Sequence, residues 1–150
     1  MLYLNLRLFH ILFMATWFGA MLFAPGDAKR AIAAGPEHLS LLRDRMRRAG
    51  RVSSTSAFLT VASGVALIFS MGGMGAVPVP IHIGLLGGII GWVLTGVFSY
   101  TWKQIDAGIE SGTSAQDLAP LAKRLSMIAG MFHLSWLGTL VLMVYRNNLM

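Results

Sequence analysis

Residues 2–24 read LYLNLRLFHILFMATWFGAMLFA, and Arg7 is the only charged residue in this stretch. A helix that crosses the hydrocarbon core of a bilayer needs about 20 predominantly apolar residues. Further apolar runs of similar length follow at residues 52–71, 77–102 and 125–145. The sequence therefore predicts an all-α fold, an integral membrane four-helix bundle that fills residues 1–150 as a single domain.

The composition agrees with burial in lipid and limits the metal chemistry of the chain. Of its 150 residues, 55% are hydrophobic and 12% are charged, whereas about a quarter of the residues are charged in soluble domains. The chain has no cysteine. This excludes an iron–sulfur cluster, a cysteine-type zinc site, a covalently attached c-type haem and a disulfide. Any bound metal must rely on histidine, methionine or carboxylate ligands.

The basic residues, which give a net charge of +6, lie mainly beside the apolar runs. Such clusters fit anionic headgroups, so we expect the lipid bilayer as a partner and no nucleic acid. The positive-inside rule then places both long connections in the cytoplasm and both termini on the non-cytoplasmic side of a bacterial-type inner membrane. Ten cations occupy the first and third connections: Lys29, Arg30, Arg43, Arg45, Arg47, Arg48, Arg51, Lys103, Lys123 and Arg124.

An amphipathic segment precedes the second apolar run, at residues 37–49. Its apolar residues Leu39, Leu42, Met46 and Ala49 share one helical face, and arginines cover the remaining surface. The pattern predicts a short interfacial amphipathic helix, which either lies on the membrane or leads into the next span.

Histidines are the candidate functional residues inside the membrane, where ionisable groups are costly. His10 lies roughly 12 Å into the first helix and shares a face with Trp17, while Arg7 sits one turn further out. His133 lies roughly 18 Å into the fourth helix, on the face of Trp136. His10 and His133 could be the two axial ligands of haem b, and Arg7 could pair with the propionates. The alternative is that His10 hydrogen-bonds a neighbouring helix.

His82 begins the third helix, after two prolines, and competes with His133 as the second ligand. It also belongs to an alternative copper site with Met71 and Met74, because thioether sulfur favours Cu(I). The apolar runs contain no Asp or Glu, which argues against an ion-coupled transporter. A third alternative is a structural or assembly subunit whose histidines only bridge helices.

Small residues form one face of the third helix, at Gly84, Gly87, Gly88, Gly91 and Gly96. Such spacing allows close approach of another helix. The face could serve the bundle core, a flat cofactor or a homodimer.

Four short motifs resemble the HemJ-type protoporphyrinogen oxidases, which are small membrane proteins that bind haem b, and their CopD-like copper relatives. They are LFHI at residues 8–11, ATWFGA at 15–20, PIHI at 80–83 and VYRNNL at 144–149. The resemblance implies four helices around a b haem, His10 as a haem ligand and a porphyrin substrate. It also implies oxidation of protoporphyrinogen IX to protoporphyrin IX, with electrons passing to a quinone or a redox partner protein.

This chain departs from the family pattern where charged or polar residues are expected. It has APGD at residues 24–27 after the first helix, Gly84 where the family has a lysine, and AGMF at 129–132 in place of an Asn-Glu-x-Pro stretch. The charged groups that would contact a tetrapyrrole substrate are thus absent from the positions where the family has them.

Overall fold

A computed structural model of the chain describes residues 1–34 and 39–144, with the side chains of residues 39–42 left out. Within those ranges the chain is helical and contains no strand. A single 3-10 turn, Met74–Ala76, precedes the third helix. The four helices are α1 (Leu2–Ala34), α2 (Leu39–Ser70), α3 (Val79–Glu110) and α4 (Ala115–Val144).

Each of the four helices is long and apolar enough to cross a membrane. Exposed leucine, phenylalanine and valine side chains cover much of the outer surface, as expected where helices meet lipid tails. The predicted integral membrane four-helix bundle is confirmed, and the chain is a multi-pass membrane protein.

Successive helices run antiparallel. α1 packs chiefly against α2, and α3 packs chiefly against α4. The bundle thus has one end that holds the α1–α2 and α3–α4 connections together with most of the cations. We call this the basic end, and we call the other one, where the chain turns from α2 to α3, the opposite end.

The helices extend beyond the apolar runs at the basic end. Proline followed by glycine usually ends a helix, but α1 continues through Pro25 to Ala34. Its buried residues there are Ala24, Asp27, Ala28 and Ala31, which recur at helical spacing. Packing of this inward face therefore overrides the local preference of the sequence.

The predicted amphipathic helix forms the first turns of α2 and leads directly into the second span. Met46 is buried on its inner face, whereas Arg47 and Arg48 are exposed. Residues 37 and 38 of that segment, residue 145 of the fourth predicted span, and residues 145–149 of the motif at 144–149 lie outside the described residues.

The main core occupies the middle of the bundle and the basic end. Its fully buried side chains include Trp17, Phe132, Ile105 and Leu125. A smaller cluster of Ile68, Val77 and Ile81 closes the opposite end. The helices are less tightly packed between these two clusters, and the candidate site lies there.

Candidate functional site

A cavity of about 390 Å³ opens among the four helices in the half of the bundle toward the opposite end. This volume lies within the usual range of about 300–1,000 Å³ for sites of small molecules and cofactors. Every helix contributes to its wall, among others through His10, Gly64, Gly88 and Trp136.

His10 is held on the cavity wall by the backbone of α2. Its Nδ1 lies 3.0 Å from the carbonyl oxygen of Thr60 and 3.1 Å from Oγ of Ser63. The Ser63 hydroxyl donates its proton to the carbonyl oxygen of Leu59, at 2.6 Å. Because a carbonyl oxygen can only accept, Nδ1 of His10 carries the proton and donates it to Thr60.

This tautomer leaves Nε2 of the neutral His10 ring with a lone pair. Within the described part of the chain, Nε2 has no hydrogen-bond partner, although His10 is partly buried. A histidine that binds a metal usually donates its other ring N–H to a carbonyl oxygen or a carboxylate. His10 therefore has the hydrogen bonding expected of a metal ligand.

Gly64 lets α2 approach the His10 ring closely. A Cβ atom at this position would lie 3.2 Å from Cε1 of His10, which is tighter than ordinary van der Waals contact. The glycine therefore helps to define where the imidazole lies.

Trp17 closes the cavity on the side of the main core. It is 2% exposed, and its indole Nε1 donates to Oγ1 of Thr95 at 2.9 Å. Thr95 in turn donates to the carbonyl oxygen of Gly91 at 3.0 Å. The ring also packs against Phe132, with centroids 5.0 Å apart. The polar atom of Trp17 is thus satisfied, and its aromatic surface seals the cavity from the core.

Gly84, Gly87 and Gly91 of the glycine face of α3 pack inside the bundle, whereas Gly96 is exposed. A Cβ atom at Gly84 would collide with Met143, and one at Gly87 would collide with Thr139. At Gly91 the added atom would lie 2.9 Å from the ring of Trp17. Close packing against α1 and α4 therefore accounts for these glycines.

Arg7 lies at the outer part of the cavity wall, near Tyr3. Its side chain is exposed, and it forms no ion pair with the carboxylates of residues 1–34 and 39–144. It is a cation available to an acidic group at the mouth of the cavity.

His133 lies outside the lining of this cavity. It packs edge-on against Phe18 with centroids 4.8 Å apart, and against Phe132 at 5.5 Å. Its Nε2 and Nε1 of Trp136 are both buried without a hydrogen-bond partner among the described residues. Trp136 does line the cavity. The structure thus brings His10, Arg7, Trp17 and Trp136 to one cavity but does not bring His133 into it.

His82 and Met74 also lie outside the cavity lining, whereas Met71 belongs to it. The His82 ring is exposed, with Nε2 at 3.1 Å from the carbonyl oxygen of Met74 and Nδ1 at 3.4 Å from that of Pro78. Among the described residues, no group of three or more His, Cys, Asp or Glu side chains could hold a metal ion. The copper site of Met71, Met74 and His82 stays a prediction: Met71 lines the cavity, and the His82 ring lies against the backbone of Met74 outside it.

Ion pairs connect the helices at the basic end. Arg43 contacts Asp106 at 2.8 Å and Glu110 at 2.6 Å, which links α2 to α3. The buried carboxylate of Asp27 lies 3.1 Å from Arg45, which links α1 to α2, and 3.6 Å from Arg30 on its own helix. These contacts hold the extended helix ends together, away from the cavity.

Thr60 and Ser63 are the site residues that sequence reasoning missed. Both are small polar residues of the second apolar run, but their relation to His10 depends on how α1 and α2 pair.

Comparison of the chain with protein-family models, curated proteins and solved structures finds no match.

Proposed function

We propose that this chain is a haem-b-binding redox protein of the membrane, with His10 as an axial ligand. One observation carries the proposal: the Nδ1–H of His10 is fixed by Thr60, its Nε2 has no hydrogen-bond partner among the described residues, and the side chain lines a cavity of about 390 Å³. A histidine that merely bridged helices would satisfy the hydrogen bond to α2 equally well, but it would need no cavity beside its second nitrogen.

The other groups around the cavity fit a haem. The wall is mainly apolar and aromatic, with Trp17 and Trp136 at its sides, as expected for a flat macrocycle in a water-poor site. Arg7 at the mouth supplies a cation for a propionate. His10 would hold the iron, Thr60 and Ser63 would orient its ring, and Trp17 with Phe132 would exclude water from the core side.

A bound haem supplies one-electron redox chemistry, and the protein controls it through ligand identity, hydrogen bonds and burial. The resemblance to HemJ-type enzymes extends the proposal to the oxidation of protoporphyrinogen IX, with a quinone or a partner protein as electron acceptor. The second axial ligand, His133 or His82, stays a prediction. Neither ring lines the cavity, so either one would have to move to reach an iron held by His10.

The proposed location is a bacterial-type inner membrane with the basic end in the cytoplasm and both termini on the other side. The lysines and arginines of the two long connections support this orientation through the positive-inside rule. The cavity would then lie in the half of the membrane that is remote from the cytoplasm.

The test is the visible spectrum of the purified protein in detergent, oxidised and dithionite-reduced, with a pyridine haemochrome assay and metal analysis. We expect a b-type spectrum near one haem per chain. His10→Ala should abolish it, and imidazole added to this variant should restore absorption if the fold is intact. Thr16→Ala is the control on the same helix, because Thr16 lies outside the cavity lining and bonds only its own helix, so it should leave the haem content unchanged.

An unchanged spectrum in folded His10→Ala would rule out His10 as a ligand. His133→Ala tests the second axial ligand. Loss of the low-spin spectral features with retained haem would identify His133 as that ligand. Protoporphyrinogen oxidation by the haem-loaded protein, measured by porphyrin fluorescence, tests the enzymatic extension.

Copper handling is the second candidate function, and one observation favours it. Met14, Met71 and Met143 line the same cavity as His10, and soft thioether sulfur with imidazole suits Cu(I). Copper without haem in the metal analysis would favour this function. Protein that contains neither would favour a structural or assembly role.

A further inference from the structure

A second, shallower groove of about 380 Å³ runs between α1 and α4 at the basic end. Its lining consists mainly of apolar residues, chiefly Ile32, Ala33, Ala119 and Ala122, and it includes Lys29 and Lys123. It shares no lining residue with the cavity around His10. The groove therefore needs a separate explanation.

The two lysines lie at the depth of lipid headgroups. The apolar stretch of α1 ends at residue 24 and that of α4 begins at residue 125. At 1.5 Å per residue, Lys29 is about 7 Å and Lys123 about 3 Å beyond the hydrocarbon boundary. The headgroup layer on each side of a bilayer is about 5–8 Å thick. Lys29 and Lys123 therefore lie on the parts of α1 and α4 that cross the headgroup layer.

Among the described residues, the lining of the groove contains two lysines and no Asp or Glu, so the charge of this part of the groove is positive. The nearest carboxylates in sequence are engaged elsewhere. Asp27 is buried against Arg45 and Arg30, and Asp117 accepts a hydrogen bond from the Ser114 hydroxyl at 2.7 Å. Lys29 and Lys123 form no ion pair with the described carboxylates and are exposed.

We propose that this groove binds the headgroup of an anionic phospholipid from the leaflet at the basic end. The lysines would contact the phosphate, the alanine-rich lining would accommodate the glycerol region, and the acyl chains would continue along α1 and α4 into the hydrocarbon. Basic pockets between membrane helices are suited to such headgroups. The small side chains matter because they leave the depth that a bulky residue would fill.

The experiment uses the full-length protein in a neutral detergent, titrated with dioleoyl phosphatidylglycerol, dioleoyl phosphatidylcholine or inorganic phosphate and followed by native mass spectrometry. We expect one preferred phosphatidylglycerol site. Each change, Lys29→Gln or Lys123→Gln, should weaken it about five-fold, and the double variant about thirty-fold, if each lysine contributes the usual attraction of a cation to an anionic surface.

Two further variants distinguish a specific lipid-binding site from a general effect of positive surface charge. Lys103→Gln removes a cation at similar depth on α3, outside the groove, and should leave the affinity unchanged. Ala119→Leu keeps every charge but fills the groove, and it should weaken phosphatidylglycerol binding. Ala119 is exposed, so this variant should fold normally, which the thermal unfolding midpoint checks.

Equal binding of phosphatidylcholine, or an equal effect of Lys103→Gln and Lys29→Gln, would overturn the proposal in favour of diffuse charge. If millimolar inorganic phosphate occupies the site in the absence of lipid and competes with phosphatidylglycerol, the assignment to a lipid is overturned. Haem content is measured in the same samples, and its presence or absence does not bear on these outcomes.

Discussion

Nδ1 of His10 on α1 lies 3.0 Å from the carbonyl oxygen of Thr60 on α2. The orientation of the imidazole is therefore set by a neighbouring helix. This hydrogen bond forms with the fold itself and needs no ligand. A preorganised ring of this kind reduces the cost of ordering the side chain when a cofactor binds.

Gly64→Ala should disturb the His10 ring without removing any functional group. The added methyl carbon would lie 3.2 Å from Cε1 of His10, so the ring must shift away from α2. Under the proposed function, we expect haem occupancy to fall several-fold, or the Soret band to move, in the purified variant. Gly19→Ala on α1 is the control, because a Cβ atom there meets nothing within 4 Å. Equal spectra for both variants would argue that the ring position does not matter for the cofactor.

Thr95→Val should destabilise the bundle by removing the acceptor of the Trp17 indole N–H. Both residues are buried, at 2% exposure each, and the donor–acceptor distance is 2.9 Å. An unsatisfied buried donor costs about 1–3 kcal/mol. The thermal midpoint in detergent should therefore fall by several degrees. Thr16→Val removes an exposed hydroxyl that bonds only its own helix and should change the midpoint little. A Thr95→Val midpoint equal to that of the wild type would contradict the importance of this contact.

Gly91→Ala should also destabilise the protein, although alanine is normally the better helix former. Its Cβ atom would lie 2.9 Å from the buried ring of Trp17. Overpacking of this kind costs about 1–3 kcal/mol. Gly96→Ala, on the same helix, meets nothing within 4 Å, and we expect it to be neutral or stabilising. The two midpoints, measured side by side, separate steric crowding from helix propensity.

The helices could be predicted from the sequence because long apolar runs have few alternatives in a bilayer. The rotation of each helix about its own axis, which decides the side chains that face inward, could not be predicted. Lipid tails are as apolar as the bundle core, so the hydrophobic pattern does not distinguish an inward face from a lipid-facing one. On α4 the adjacent residues Phe132 and His133 compete for the inward position, and Phe132 takes it with 1% exposure. His10 reaches the cavity, whereas His133 packs beside Phe18.

The basic end was the least predictable part of the fold. Pro25 and the charged residues beyond it favour a loop when they are considered locally. The helix is supported there by contacts between residues distant in sequence, such as Asp27 with Arg45. A single sequence does not reveal such pairings before the helix register is known.

Arg45→Gln should therefore loosen the basic end of the bundle. The Asp27 carboxylate is 8% exposed and would lose its contact at 3.1 Å, while the Arg30 contact at 3.6 Å remains. The Arg45 side chain is 61% exposed, so solvent screening limits the loss of unfolding free energy to about 0.5–1 kcal/mol. Arg47→Gln removes the same charge from an exposed position and is the control. We expect faster amide hydrogen exchange at residues 25–34 in Arg45→Gln only, and the difference should shrink in high salt because screening already weakens the ion pair. Equal exchange in both variants at low salt would show that the pair does not stabilise the end of α1.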